Sequence, residues 1–242
     1  MRLRQWIGFL LTILIIWLLA SYVIDNSIIL PDPILVGQTM VSQLCSTELY
    51  QSLGITLIRV VFSVTLSFLF AFVLSFVMTH YKGVRPYFDQ ILLFIRSIPN
   101  VTFVILLLFW INREMSIYVV SFLLLFPIFY QNLAESIEDI QMKRHDFLII
   151  YPQSLFTQIK YVYVPELKSA ISSGWITCSS LGFKVVVMAE ILTSISAGVG
   201  YKMQFSRLNI DLAGVMAWTI WLLICVSIFN KLLKKVLKML FS

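Results

Sequence analysis

Three charged side chains stand inside, or at the very end of, long apolar runs: Arg96, Lys184 and Glu190. A charge at membrane depth is costly, so it usually faces a wet cavity or a partner and marks a solute path or a proton relay. These three are the candidate translocation-path residues. A plainer role stays open for each: Arg96 as a residue whose head snorkels to the inner surface, Lys184 as the buried partner of a carboxylate, Glu190 as a residue at the mouth of a span. Lys184 and Glu190 sit about 240° apart around a helix, so they do not pair on one face. Other chemistry finds little material. His80 and His145 both lie at ends of apolar runs, and Cys45, Cys178 and Cys225 are far apart with no Cys-x-x-Cys. A membrane-embedded enzyme would need His, Asp or Glu clustered at one depth. The phosphate-cradling pattern Gly-x-x-x-x-Gly-Lys-Ser does not occur, so any nucleotide is bound by another polypeptide. The chain is read as a non-enzyme, with no catalytic residue, no metal site and no cofactor of its own.

The elements that must hold these residues are membrane spans. Of the 242 residues, 60% are hydrophobic and 12% charged, with a mean hydropathy of +0.92. No soluble core absorbs that much apolar surface. A bilayer crossing needs about 20 apolar residues in a helix that satisfies its own backbone. Residues 6–24, 60–79, 115–134 and 212–230 meet this without a charge, while 90–111 carries Arg96 and 169–189 carries Lys184. The expectation is an all-α integral membrane protein of six transmembrane helices. The first run follows Arg2 and Arg4 but is span-length and lacks a small-residue cleavage site, so it reads as an anchor rather than a removed signal.

The net charge of +6 does not point to nucleic acid, because the basic residues flank apolar runs. With the N-terminus inside, the inner segments hold Arg2, Arg4, Lys82, Arg85, Arg96, Lys143, Arg144, Lys160, Lys168, Lys231, Lys234, Lys235 and Lys238. The outer segments hold Arg59, Arg113, Lys202 and Arg207. That bias places both termini in the cytoplasm. For Lys184 the insertion cost is about 2.5–3.5 kcal/mol, and Ile171, Ile176, Leu181, Phe183, Val185, Val186 and Val187 return about 0.3–0.6 kcal/mol each. The two nearly cancel. Ser172, Ser173, Gly174, Ser179, Ser180 and Gly182 add a surface that allows close helix approach, so this span belongs inside the bundle or beside a wet cavity.

Three segments are neither span nor short turn. Outside, the Pro pair of Leu30-Pro-Asp-Pro33 stiffens the exit from the first span, and an amphipathic helix is expected over 34–53. Residues 192–211, also outside, form a docking surface or a solvated loop. Inside, 131–168 is the longest soluble piece. Glu135, Glu138, Asp139, Lys143 and Arg144 continue a helix, and Phe147, Leu148 and Tyr151 share one helical face that Pro152 ends. Ser154 caps a second short helix in which Phe156, Ile159 and Tyr163 recur at helical spacing, stopped by Pro165. Apolar knobs facing the cytosol need a partner.

At this loop the chain resembles the membrane-spanning permeases of binding-protein-dependent ABC importers. Their signature is Glu-Ala-Ala, three residues, Gly, nine residues, Ile, one residue, Leu-Pro. Here it becomes Asp146-Phe147-Leu148, three residues, Pro152, nine residues, Val162, one residue, Val164-Pro165. The spacing is kept while the Glu, both Ala and the Gly are replaced. Leu30-Pro-Asp-Pro33, Ser52-Leu-Gly-Ile-Thr-Leu-Ile-Arg59, Ile95-Arg-Ser-Ile-Pro99, Gly182-Phe-Lys-Val-Val-Val-Met-Ala-Glu190 and Gly198-Val-Gly-Tyr201 follow in the same order as in that family. The last stretches are similar to the subgroup handling nitrate, sulfonate, taurine, bicarbonate and thiamine-precursor-like solutes.

The resemblance implies the type I importer architecture in a bacterial cytoplasmic membrane, with a second permease subunit, identical or similar, enclosing the path. It implies a cytoplasmic ABC ATPase dimer, which holds the ATP and Mg, and an extracytoplasmic solute-binding protein. The ATPase-coupling loop is then about 135–165, with Asp146, Phe147, Leu148, Tyr151, Pro152, Ser154, Phe156, Val162 and Pro165 as its contact and turn residues. The expected organisation is an anchor helix over 1–24, an outer linker with an amphipathic helix over 25–58, and a five-span permease core over 59–242. A self-contained carrier or channel is the alternative; the large inner loop and the lack of a recognisable inverted repeat weigh against it.

Overall fold

The computed structural model describes residues 3–81, 83–144 and 154–241, whose regular elements are all helical. In order, α1 is Leu3–Ile24, α2 Pro33–Leu44, α3 Thr47–His80, α4 Arg85–Ser97, α5 Asn100–Leu107 and α6 Arg113–Lys143. Then comes α7, made of Leu155–Gln158, a π-helical turn at Ile159–Tyr163 and Val164–Glu166. It is followed by α8 Lys168–Thr193, α9 Val199–Leu208 and α10 Leu212–Phe241. α3, α6, α8 and α10 are each long and apolar enough to cross a bilayer, and α4 with α5 makes a fifth crossing if that bent pair is one span. The chain is a multi-pass helical membrane protein. α1 is 22 residues long and its described apolar stretch is Leu11–Ile24, so four or five of the six expected crossings meet the length.

α3, α6 and α8 form the centre. Lipid tails are as apolar as Leu, so helices in a bilayer associate through close packing, which favours small residues at their contacts. Ser63, Ser67, Ala71 and Ser75, each four positions from the next, are fully buried along one side of α3. α8 contributes Gly182, against Val60 and Val64 of α3 and Leu125 of α6, and Gly174, against Phe129 and Asn132 of α6. Of the small-residue surface expected on this span, Gly174, Ser179 and Gly182 are buried, Ser172 and Ser180 half-buried, and Ser173 exposed. Phe68 fills the space between the three helices, its ring 5.5 Å from Phe129 and 5.3 Å from Trp175. Asn132 Nδ2 donates to Ala170 O at 3.0 Å, fixing the level of α6 against α8. α2 packs Val36 and Met40 on Ala213 and Ala217 of α10, and Trp17 Nε1 donates to Pro31 O at 3.0 Å to hold α1 at the edge.

Three expectations differ from the structure. The run 90–111 is not one helix: α4 and α5 meet at 90°. A proline ring disfavours the α region for the residue before it, and Ile98 is accordingly extended at φ −74°, ψ 130°. The outer helix expected over 34–53 is split. Asp32 accepts from Ile34 N at 3.2 Å to open α2, and Ser46 accepts from Glu48 N at 3.1 Å to open α3, which then runs unbroken past the expected boundary at 58. Pro165 does not stop its helix. It has no N–H to give to the carbonyl four residues back, and the turn before it widens so that Val164 N–H bonds Ile159 O. Leu167 N–H then reaches Tyr163 O at 2.8 Å, and the path leads directly into α8. The expected cap is present: Thr157 N–H donates to Ser154 Oγ at 3.3 Å.

Ser67 Oγ has no hydrogen-bond partner among the described residues. Ser67→Ala should therefore leave the thermal midpoint of the detergent-solubilised protein unchanged or raise it. Ser67→Leu should wedge α3 from its neighbours, costing about 1–3 kcal/mol and lowering the midpoint. A destabilised Ser67→Ala would contradict this description of the seam.

Candidate functional site

Arg59 is not an outer flank of its span. It is 3% exposed and lies at the centre of a buried ionic knot. Its Nη1 donates to Glu190 Oε1 at 2.6 Å and to Ala197 O at 2.8 Å, while Nε and Nη2 fork onto Glu114 at 2.9 and 2.8 Å. Glu190 is 0% exposed. Its carboxylate also accepts from Thr56 Oγ1 at 3.0 and 3.1 Å and from Gly200 N–H at 2.8 Å. Thr56 Oγ1 in turn accepts from Val199 N–H at 2.9 Å. The first amides of α9 thus point at Thr56 and Glu190, and the positive end of the helix adds to the neutralisation of the carboxylate.

The local sequence makes this close approach possible. Gly198 has φ +110°, a conformation that side-chain-bearing residues rarely adopt. A Cβ on Gly200 would fall 2.5 Å from Val187 O and 2.6 Å from Glu190 Cβ, so neither glycine tolerates replacement without displacing α9. Three stretches singled out in the sequence, ending at Arg59, Glu190 and Tyr201, therefore share one site. Arg59, Thr56 and Glu114 were not among the expected site residues. A charge at the end of an apolar run reads as a flank, and its partners lie 55 and 131 positions away.

The three candidate path residues do not converge. Glu190 belongs to the knot and lines no open surface. Arg96, at the end of α4, donates to Gln131 Oε1, which borders a cavity of about 280 Å³ with Arg85, Asp89 and Tyr130. Lys184 is exposed on α8 and has no hydrogen-bond or ion-pair partner among the described residues. Asn132, beside Gln131, is level with Ala170, so Lys184 stands about 21 Å along the helix axis from Arg96's level. Ser169, Ser173, Thr177, Ser180 and Lys184 fall on one face of α8, where all but the half-buried Ser180 are exposed. This is a polar stripe on a helix apolar enough to cross a bilayer.

Of the coupling-loop residues, Asp146, Phe147, Leu148, Tyr151 and Pro152 lie outside the described residues. Ser154, Phe156, Val162 and Pro165 are on α7 or at its start. Phe156 is 76% and Tyr161 67% exposed. Tyr163, expected on the same exposed face, is buried, its ring 5.4 Å from Phe76 of α3. Arg144 Nε meets Glu166 Oε1 at 2.8 Å, tying the end of α6 to α7. The segment therefore shows two aromatic rings outward while it is anchored inward on α3 and α6.

Breaking a buried ion pair leaves an unpaired charge, at a cost of about 3–5 kcal/mol. Arg59→Met alone should therefore lower the thermal midpoint sharply, and Arg59→Met with Glu190→Met should recover most of the loss. Glu114 is half-exposed, so Glu114→Gln should cost less than Glu190→Gln. Equal losses from Arg59→Met and the double variant would contradict the pairing.

No family model matches the chain. Two curated proteins are similar to it over most of its length. One, from Bacillus subtilis, bears the provisional name aliphatic sulfonates transport permease protein SsuC; it is 24% identical over 233 residues, 93% of this chain and 84% of that protein. The other, from Methanocaldococcus jannaschii and provisionally named an ABC transporter permease protein, is 26% identical over 219 residues, 82% of this chain and 78% of its own length. In sequence the chain is thus similar to proteins named as ABC transporter permeases, and its long apolar helices are those of a multi-pass membrane protein.

Proposed function

We propose that this chain is the membrane-spanning subunit of an ATP-driven importer. Two such subunits, identical or similar, enclose the solute path, two cytoplasmic ABC ATPases carry the ATP and Mg, and an extracytoplasmic binding protein delivers the solute. The observation that carries this reading is the similarity of 93% of the chain to a protein named for sulfonate transport. The exposed aromatics of α7 support it. Burying a ring such as Phe156 on a partner contributes about 1.5–3 kcal/mol, and aromatic anchors of this kind dominate interfaces.

Closure of the ATPases would push on α7. Because Tyr163 is seated on Phe76 and Arg144 on Glu166, the push reaches the ends of α3 and α6, and the backbone passes from α7 into α8. At the other end the Arg59 knot joins α3, α6, α8 and α9, so these helices swing as a unit rather than shear past one another. The polar stripe of α8 is the side offered to the path, and Lys184 on it favours an anion, such as an aliphatic sulfonate. Arg96 acts at another depth, nearer the ATPases.

Coexpression with the ABC ATPase of the same genome tests the docking. Phe156→Asp should reduce recovery of the complex by about tenfold or more while leaving the thermal midpoint of the chain unchanged. Undiminished recovery would contradict the role of α7. In proteoliposomes of the whole transporter, Lys184→Ala should lower sulfonate uptake with the complex intact, and unchanged uptake would remove Lys184 from the path.

A further inference from the structure

We propose that the end of α10 is a binding surface for the headgroups of anionic phospholipids. Lys231, Lys234, Lys235 and Lys238 are all exposed and fall within about 100° of the helix circumference. None has a hydrogen-bond or ion-pair partner among the described residues. Beside them, on the next 100° or so, Leu232, Val236, Met239 and Leu240 are exposed as well. The third face carries Leu237, which is buried. One helix end thus has a packing face, a basic face and an apolar face.

Two contacts set the depth of this segment. Asn230 Nδ2 donates to Ser180 Oγ at 2.9 Å, and Lys168 Nζ donates to Phe241 O at 3.3 Å. The last three turns of α10 therefore run antiparallel beside the first half of α8, a helix apolar enough to cross the bilayer. The lysines stand at the level of one leaflet, the inner one if the C-terminus is inside as the basic bias reads, and not on a tail reaching into water. Like charges three and four positions apart repel, and no described carboxylate relieves them. Their stems let the ammonium groups move toward the lipid surface, where anionic headgroups attract juxtamembrane lysines. The apolar strip favours lipid over transported solute: acyl chains lie well on Leu232, Val236 and Met239, whereas a hydrated anion would not border them. The inference needs only that α8 and α10 cross the membrane, and it stands whether or not α7 binds an ATPase.

The test uses the full chain, extracted in mild detergent from liposomes of equal phosphatidylglycerol and phosphatidylcholine, with retained lipid measured by mass spectrometry. The parent should retain phosphatidylglycerol over phosphatidylcholine by roughly tenfold. K231Q/K234Q/K235Q/K238Q should bring the ratio close to that of the liposomes, and the matching Lys→Arg variant should keep it. If the fourfold Gln variant does not assemble, K231Q/K235Q and K234Q/K238Q should each lose part of the enrichment. No enrichment in the parent, or full enrichment in the Gln variants, overturns the proposal. So does displacement of the phosphatidylglycerol by an added alkanesulfonate, which would assign the lysines to the solute path.

Discussion

The carboxylate of Glu190 is accommodated at zero exposure because three other helices deliver groups to it and to its partner at once. Arg59 and Thr56 come from α3, the Gly200 amide from α9, and Glu114 from the start of α6 balances the guanidinium. Withdrawing Arg59 or Glu190 leaves a buried charge without its counterpart, which costs far more than an ordinary contact. The knot gives α3, α6, α8 and α9 one shared geometry at their common end, opposite the end that carries α7.

That opposite end is built differently. α7 seats Tyr163, Ile159 and Val162 on the core and Glu166 on Arg144, and it turns Phe156 and Tyr161 outward. In the proposed importer, a bundle locked at one end and open to a partner at the other would act as a set of levers. α8 is the helix in which these roles meet: it begins where α7 ends, packs Gly174 and Gly182 into the bundle, presents the Lys184 stripe on its free face and closes in Glu190. In the importer proposed here, α8 is where a push on α7 becomes a change at the path.

Apolar run length alone placed α3, α6 and α10, because a bilayer demands it, while α8 also needed its apolar residues weighed against Lys184. The small residues flanking Lys184 foretold the close packing of α8, and the spacing of Lys184 and Glu190 foretold their separation. The break at Ile98-Pro99 was written in the proline but hidden by the apolar content around it. Pro165 misled because a π turn, which absorbs a missing amide, leaves no pattern in the residues. The knot was the least legible part. Arg59 and Glu190 are 131 positions apart, each reads alone as the end of a span, and only the folded chain shows that they are partners. Their stretches had already stood out by resemblance, without a physical reason; the glycines at 198 and 200 supply it, since only a residue without Cβ lets the α9 amides reach Glu190.

An importer subunit acts with an ATPase, whereas a carrier acts alone. Native mass spectrometry of the complex extracted from membranes that coexpress the chain with the ABC ATPase of the same genome is the most direct measurement. One assembly holding two permease subunits and two ATPases is expected. A chain recovered by itself, with the ATPase left in the soluble fraction, would contradict it and favour a self-contained carrier.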